Sequence, residues 1–150
     1  MPQSIVKMYA HIIFSTKNRE DLIHPEIENE LFGYIHGIAA NNDTHLIIGN
    51  GTSNHIHLLV LLPKKIDIPE LIGDIKRDSS SWVKKQDSQF SNFYWQRGYG
   101  AFSVGQLEIE VVKNYIAKQK EHHKTKDFKT EYRGFLKKYD VEYDEQYVWD

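Results

Sequence analysis

Between His45 and Pro63 the chain carries two short apolar runs, His45 to Gly49 and His55 to Leu62, joined by the glycine-containing segment Gly49 to Asn54. Two runs of strand length around a turn of Gly, Thr, Ser and Asn describe a β-hairpin, and Pro63, which has no amide to donate, stops the second strand. A hairpin commits the chain to a sheet, and the sequence flanks it with helices. Upstream, Pro25 with Glu26 and Glu28 opens a helix whose apolar positions Ile27, Leu31, Ile35 and Ile38 recur every three or four residues until Asn41, Asn42 and Asp43 end it. Downstream, a second helix begins near Asp67, with Pro69 and Glu70 in its first turn and Leu71, Ile72, Ile75, Ser79, Trp82 and Val83 on its inner face. Val6 to Ser15 alternates apolar and polar residues as a half-buried strand does. After the polar connection Gln86 to Ser91, the aromatic run Phe93 to Ser103 suits a strand bent or closely approached at Gly98 and Gly100. Ser103 and Gln106 match a capping box, and Ile109, Val112 and Ile116 give the stripe of a third helix. The first six elements follow the split βαβ order of an α+β, ferredoxin-like antiparallel sheet.

The 150 residues fit one core, so a single domain over 1–150 is expected. With no cysteine, disulfides, thiolate catalysis and cysteine-ligated zinc are excluded, and any metal must use His, carboxylate or amide ligands. No apolar stretch approaches the roughly 20 residues that cross a bilayer, and no signal peptide opens the chain, so a cytoplasmic protein without membrane contact is expected. The formal net charge of -2 argues at first against a nucleic-acid partner. However, Asp140, Glu142, Asp144, Glu145 and Asp150 crowd the last eleven positions, and residues 1–139 carry 19 basic against 16 acidic groups. Lys118, Lys120, Lys124, Lys126 and Lys129 form a local basic cluster that a phosphate backbone can use, or an ordinary solvated helix face.

Alternation along His55-Ile56-His57-Leu58-Leu59-Val60 puts both imidazoles on one face and Ile56, Leu58 and Val60 on the other. A His-x-His pair by itself often occurs without a metal. Tyr115 and Gln119 stand four apart on the third helix, so one helix face offers a nucleophile and an oxygen ligand. Three protein ligands of this type leave positions open for phosphate oxygens and suit magnesium or manganese. An unassisted tyrosine reaches its phenolate at pH 7 at a cost of roughly 4 kcal/mol, part of which a nearby cation offsets.

Four stretches in order, Tyr9 to Glu20 (YAHIIFSTKNRE), His55 to Val60 (HIHLLV), Trp95 to Val104 (WQRGYGAFSV) and Tyr115 to Lys124 (YIAKQKEHHK), resemble the single-tyrosine HUH transposases (TnpA type) of small insertion sequences and their relatives that act on repetitive palindromes. The resemblance places the metal-binding histidines on His55 and His57, the nucleophile on Tyr115 and the third metal ligand on Gln119. It implies cleavage of single-stranded DNA beside hairpins, a 5′-phosphotyrosine and a free 3′-hydroxyl, a divalent cation as sole cofactor, and a homodimer that exchanges the tyrosine helix. Lys17, Arg19, Lys76, Arg77 and His122 are the candidate DNA contacts. His11 faces the site or serves as a structural histidine, and Trp95 and Tyr99 stack on bases, pack in the core or sit at the dimer seam.

Two other readings compete. A non-enzymatic single-stranded nucleic-acid-binding module shares the ferredoxin-like order, but a histidine pair stands where its stacking aromatics belong. A HUH protein that nicks DNA for replication or conjugation shares the chemistry but normally needs further domains. Neither the hairpin sequence nor the distinction between a mobile-element enzyme and a domesticated relative is written in the chain.

Overall fold

A computed structural model describes residues 2–65 and 67–150. Its regular elements are β1 (Met8–Ser15), α1 (Pro25–Asn41), β2 (His45–Gly51), β3 (His55–Leu62), α2 (Ile68–Gln86), β4 (Gly100–Val104), α3 (Ile109–Ala117), α4 (Gln119–His122) and α5 (Phe128–Lys138). The strands form one antiparallel sheet in the order β2-β3-β1-β4, the arrangement a split βαβ chain produces. Gly51 is required where the hairpin turns, because a Cβ there would lie 2.1 Å from the His55 carbonyl oxygen.

The sheet has two unlike faces. Ile12 and Phe14 of β1 and Ile56, Leu58 and Val60 of β3 pack under α1 and α2, against Leu31, Ile35, Ile72 and Ile75. Each such side chain contributes roughly 1.5–3 kcal/mol by leaving water. α2 starts where Asp67 accepts a hydrogen bond from the Glu70 amide at 3.0 Å, as the first-turn residues suggest. One residue along the same strands, the opposite face presents His11, Ile13, His55, His57 and Leu59 to α3, α5 and the C-terminal segment.

Three features differ from the sequence expectations. The strand expected over Phe93 to Ser103 is divided: Trp95 makes one bridge to Thr16, and regular pairing begins only at Gly100. The amides of Arg97 and Gly98 donate instead to the main-chain oxygen of Asp150 at 2.7 and 2.9 Å. Gly100 is closely approached, since a Cβ would lie 2.7 Å from the Tyr132 hydroxyl, whereas Gly98 has room. The third helix starts at Ile109 rather than at a Ser103 capping box, and it breaks at Lys118 before α4. Asn50 takes up the carbonyls freed there, donating to Ile116 and Ala117 at 3.0 and 3.2 Å. Finally, α5 follows, capped by Asp127, which accepts from the Thr130 amide at 2.9 Å. The acidic C-terminal residues fold back as well: Trp149 is buried against Phe128 and Tyr132, and its carbonyl accepts from Arg19 at 2.8 Å.

Candidate active site

Strand pairing fixes the histidines. β3 lies beside β1 with Ser15 opposite His55 and Ile13 opposite His57. The Nδ1 atoms are used for orientation: His55 Nδ1 meets Asn54 Oδ1 and Thr52 Oγ1, both at 2.9 Å, and His57 Nδ1 meets His11 Nε2 at 2.8 Å. Both Nε2 atoms turn toward a carboxylate that sequence reasoning did not single out, Glu131 of α5. Its Oε1 lies 2.9 Å from His57 Nε2, 3.0 Å from His123 Nε2 and 3.4 Å from His55 Nε2. Its Oε2 accepts from Gln119 Nε2 at 3.0 Å and from the Tyr115 hydroxyl. Gln119 Oε1 sits 3.0 Å from His55 Nε2. The structure therefore brings together Tyr115, His55, His57 and Gln119 within one chain, although the helix break at Lys118 separates Tyr115 from Gln119.

Burial sets the electrostatics. Loss of water lowers the His57 pKa to about 4 against the opposing pull of Glu131, so the ring is neutral at pH 7. His11 is lowered to about 3, chiefly by burial and then by His57. For Glu131, burial alone favours the protonated acid, but hydrogen bonds from His123, His55 and His57 outweigh it and hold the carboxyl well below the usual range. The Tyr115 hydroxyl is raised above its ordinary value by burial, by its hydrogen bond to Glu131 and by that carboxylate's charge, with Gln119 opposing. In this state Tyr115 is protonated, its proton directed at Glu131. The ring is reached from outside along a cleft bordered by Val111, Val112, Phe135 and Lys138.

The donor set fits a divalent cation. If His55 Nδ1 carries the proton that Asn54 Oδ1 accepts, the Nε2 lone pair faces two further acceptors, Gln119 Oε1 and Glu131 Oε1. In that tautomer no proton stands between His55 Nε2 and Gln119 Oε1, and a metal ion can take the place that a proton would otherwise fill. The groups that could hold the ion are the expected His55, His57 and Gln119, together with His123 and Glu131.

The candidate DNA contacts are placed apart from this cluster, with one exception. His122 stacks on the Tyr115 ring at 4.6 Å between centroids, and its buried Nε2 has no hydrogen-bond partner among the described residues. Lys17 lies beside Tyr94, 5.8 Å from the ring centre, just beyond the strand end that pairs with His55. Arg77 is exposed and bonded to Asp74 and Asp78 at 3.0 Å each. Arg19 and Lys76 serve as internal clamps: Arg19 holds the Trp149 carbonyl, and the Lys76 ammonium donates to the carbonyls of Gln96, Arg97 and Gly98 at 2.8, 3.0 and 2.7 Å. Burial lowers the Lys76 pKa to about 8. Trp95 is a core residue donating to Ser79 at 3.0 Å, and Tyr99 packs on the same core. Glu131 did leave a signal of burial, though His123 left none: Asp127 is a helix cap, and Phe128, Tyr132 and Leu136 repeat every four residues, which puts Glu131 on a buried face.

Comparison with known proteins places these residues in context. Residues 4–119 match the family described as transposase IS200 like. The transposase of insertion sequence element IS200 from Salmonella typhimurium is 25% identical over 119 residues, covering 76% of this chain and 78% of that protein. The ISDra2 transposase TnpA of Deinococcus radiodurans is 21% identical over 120 residues, covering 77% and 86%. Among solved structures, one described as a transposase from Deinococcus radiodurans R1 superposes with a TM-score of 0.61 at 20% identity, covering 79% of this chain and 98% of that one. A REP-associated tyrosine transposase bound to a REP hairpin gives a TM-score of 0.62 at 14% identity, covering 82% and 73%. These two structures share the fold.

Proposed function

The chain belongs to the IS200-like transposase family, and on that premise we propose that it cuts and rejoins single-stranded DNA beside hairpins through a 5′-phosphotyrosine at Tyr115. The observation that carries this reading is the convergence of the Tyr115 hydroxyl, His55, His57 and Gln119 on one buried cluster. Tyr115 Oη attacks phosphorus in line, and the Oη–P bond forms as the P–O3′ bond breaks. The tyrosine proton passes to Glu131 Oε2, the acceptor it already faces, and the departing 3′ oxygen takes a proton from solvent to become a hydroxyl. Rejoining reverses the roles: a 3′-hydroxyl attacks the phosphotyrosine, and Tyr115 regains its proton, so no nucleotide cofactor is consumed. A divalent cation held by His55, His57 and Gln119, magnesium or manganese, would draw charge from the scissile phosphate and lower the cost of the phenolate.

A hairpin partner is supported by the neighbour of the same fold that binds a REP hairpin. The surface proposed to contact its phosphates holds Lys17, Arg77 and the exposed Arg97, with Lys84 3.8 Å over the Tyr94 ring. His122 is proposed to meet a phosphate oxygen beside the nucleophile. The non-enzymatic reading needs an open sheet face for stacking bases, and here that face lies under α3 and α5. No helix among the described residues is long and apolar enough to cross a membrane.

The test is a labelled single-stranded hairpin incubated with purified protein and Mn²⁺, then denatured. A protein–DNA band that disappears with EDTA is expected; undiminished cleavage in EDTA would remove the metal from the reaction. The homodimer with exchanged tyrosine helices is a separate proposal, decided by mixing Tyr115→Phe with His57→Ala protein. Recovered activity means exchange. No recovery means that each chain uses its own tyrosine, the arrangement within a single chain described above.

A further inference from the structure

Two residues of the cluster, His123 and Glu131, lie beyond residue 119, where the family match ends. The C-terminal segment builds their positions. Phe128, Tyr132 and Leu136 of α5 pack with Ile13, Phe102 and Trp149 against the sheet, and Glu131, beside Tyr132, turns onto the histidines and is buried. His123, just past α4, lies against His55 with ring centres 4.3 Å apart and planes tilted by 59°.

The donor atoms are spaced as the ligands of one ion are. An ion about 2.1 Å from each ligand has neighbouring ligands about 3.0 Å apart in an octahedral shell and about 3.4 Å apart in a tetrahedral one. Glu131 Oε1 lies 2.9, 3.0 and 3.4 Å from the Nε2 atoms of His57, His123 and His55, and Gln119 Oε1 lies 3.0 Å from His55 Nε2. Ligand atoms of His55, His57, His123 and Glu131 all fall within 4.8 Å of one another.

We propose that His123 and Glu131 are ligands of the cation together with His55, His57 and Gln119, so that the C-terminal segment completes the metal site. This rests on the three-ligand reading above and adds two donors to it. Three imidazole nitrogens, one carboxylate and one amide oxygen make a softer set than magnesium prefers, because magnesium favours oxygen ligands and retains its waters. The site therefore selects manganese, cobalt or zinc over magnesium. Five protein donors leave one position of an octahedral shell for a phosphate oxygen.

The experiment needs neither DNA nor turnover. Full-length protein stripped with chelator is titrated with Mn²⁺, and free ion is read by electron paramagnetic resonance. One Mn²⁺ per chain is expected, with magnesium displacing it only in more than about tenfold excess. Glu131→Gln and His123→Ala should each weaken binding by about tenfold or more, His57→Ala should abolish it, and the exposed Glu121→Gln should leave it unchanged. If Glu131→Gln and His123→Ala bind like the parent while His57→Ala does not, the added ligands are refuted and the three-ligand site stands. If the parent protein binds no ion, both readings fall. Because Glu131 anchors several partners, a measurement without mutation accompanies these: X-ray absorption of the Co²⁺-loaded parent should count three imidazoles, and a count of two overturns the assignment of His123.

Discussion

The face of the sheet under α1 and α2 and the face under α3 and α5 are made by neighbouring residues of the same strands, yet they solve different problems. Ile56 and Leu58 enter a core of aliphatic side chains where shape complementarity is the main requirement. His55 and His57, one position away, are as completely buried, but each ring must be met by a partner: Asn54, Thr52, His11, Glu131 and Gln119 supply them. The first face gives the strand its rigidity, and the second uses that rigidity to hold chemistry in place. Part of its cover, α5, comes from the C-terminal segment, which brings Glu131 to the histidines.

The widest separation between the faces should come from two adjacent substitutions. His57→Ala is expected to lower cleavage by at least about 10³-fold, the effect of several kcal/mol of lost charge stabilisation. Leu58→Ala is expected to cost about 2–5 kcal/mol of folding stability while leaving the rate per folded molecule nearly unchanged. Denaturant melts paired with active-site titration would check both. Equal loss of rate in the two variants would erase the division.

The faces should also differ in their response to acid. In chelator-treated protein His11 and His57 are held neutral, with pKa values lowered to about 3 and about 4, against about 6.5 in an unfolded chain. Because the folded values are depressed and the charged form is the protonated one, the unfolded chain takes up these protons first. Their contribution is full above about pH 6.5, declines as pH falls, and levels off only below about pH 4 to 3. Each histidine adds up to about 1.4 kcal/mol per pH unit to the slope in that window. Denaturant melts of the parent and of His11→Gln between pH 7.5 and 4 should therefore diverge, with the shallower slope in the variant. Identical slopes would mean that His11 takes a proton in the folded state.

Most of the sheet was legible from local pattern. β3 begins and ends where alternation and Pro63 place it, and the apolar positions of α1 are the buried ones. The same alternation separated His55 and His57 from Ile56 and Leu58. What local pattern could not carry was pairing between distant residues. The amides of Arg97 and Gly98 bond to the main-chain oxygen of Asp150 and not to a strand partner, which shortens β4. Glu131 approaches His57 across 74 positions of chain, and nothing in the residues around it announces that meeting. Arg19 and Lys76 look like surface cations in sequence, but the carbonyls they hold become neighbours only in the folded chain.

A smaller effect tests the outer surface. Lys17→Ala should weaken hairpin binding a few-fold and reduce the salt dependence of binding by about one unit of slope, without changing the rate of the bound complex. Binding titrations at several salt concentrations would show it. An unchanged slope would remove Lys17 from the phosphate contacts.

The most direct measurement is covalent capture by Tyr115→Phe. The substitution keeps the ring that stacks on His122 and removes the hydroxyl that faces Glu131. Parent and variant are incubated with labelled single-stranded hairpin DNA and Mn²⁺, denatured and separated, with circular dichroism confirming that both are folded. The expected result is a denaturation-resistant protein–DNA band from the parent and none from the folded variant. A band of equal strength from Tyr115→Phe would show that another residue attacks the phosphate, and would contradict the assignment of Tyr115 as nucleophile.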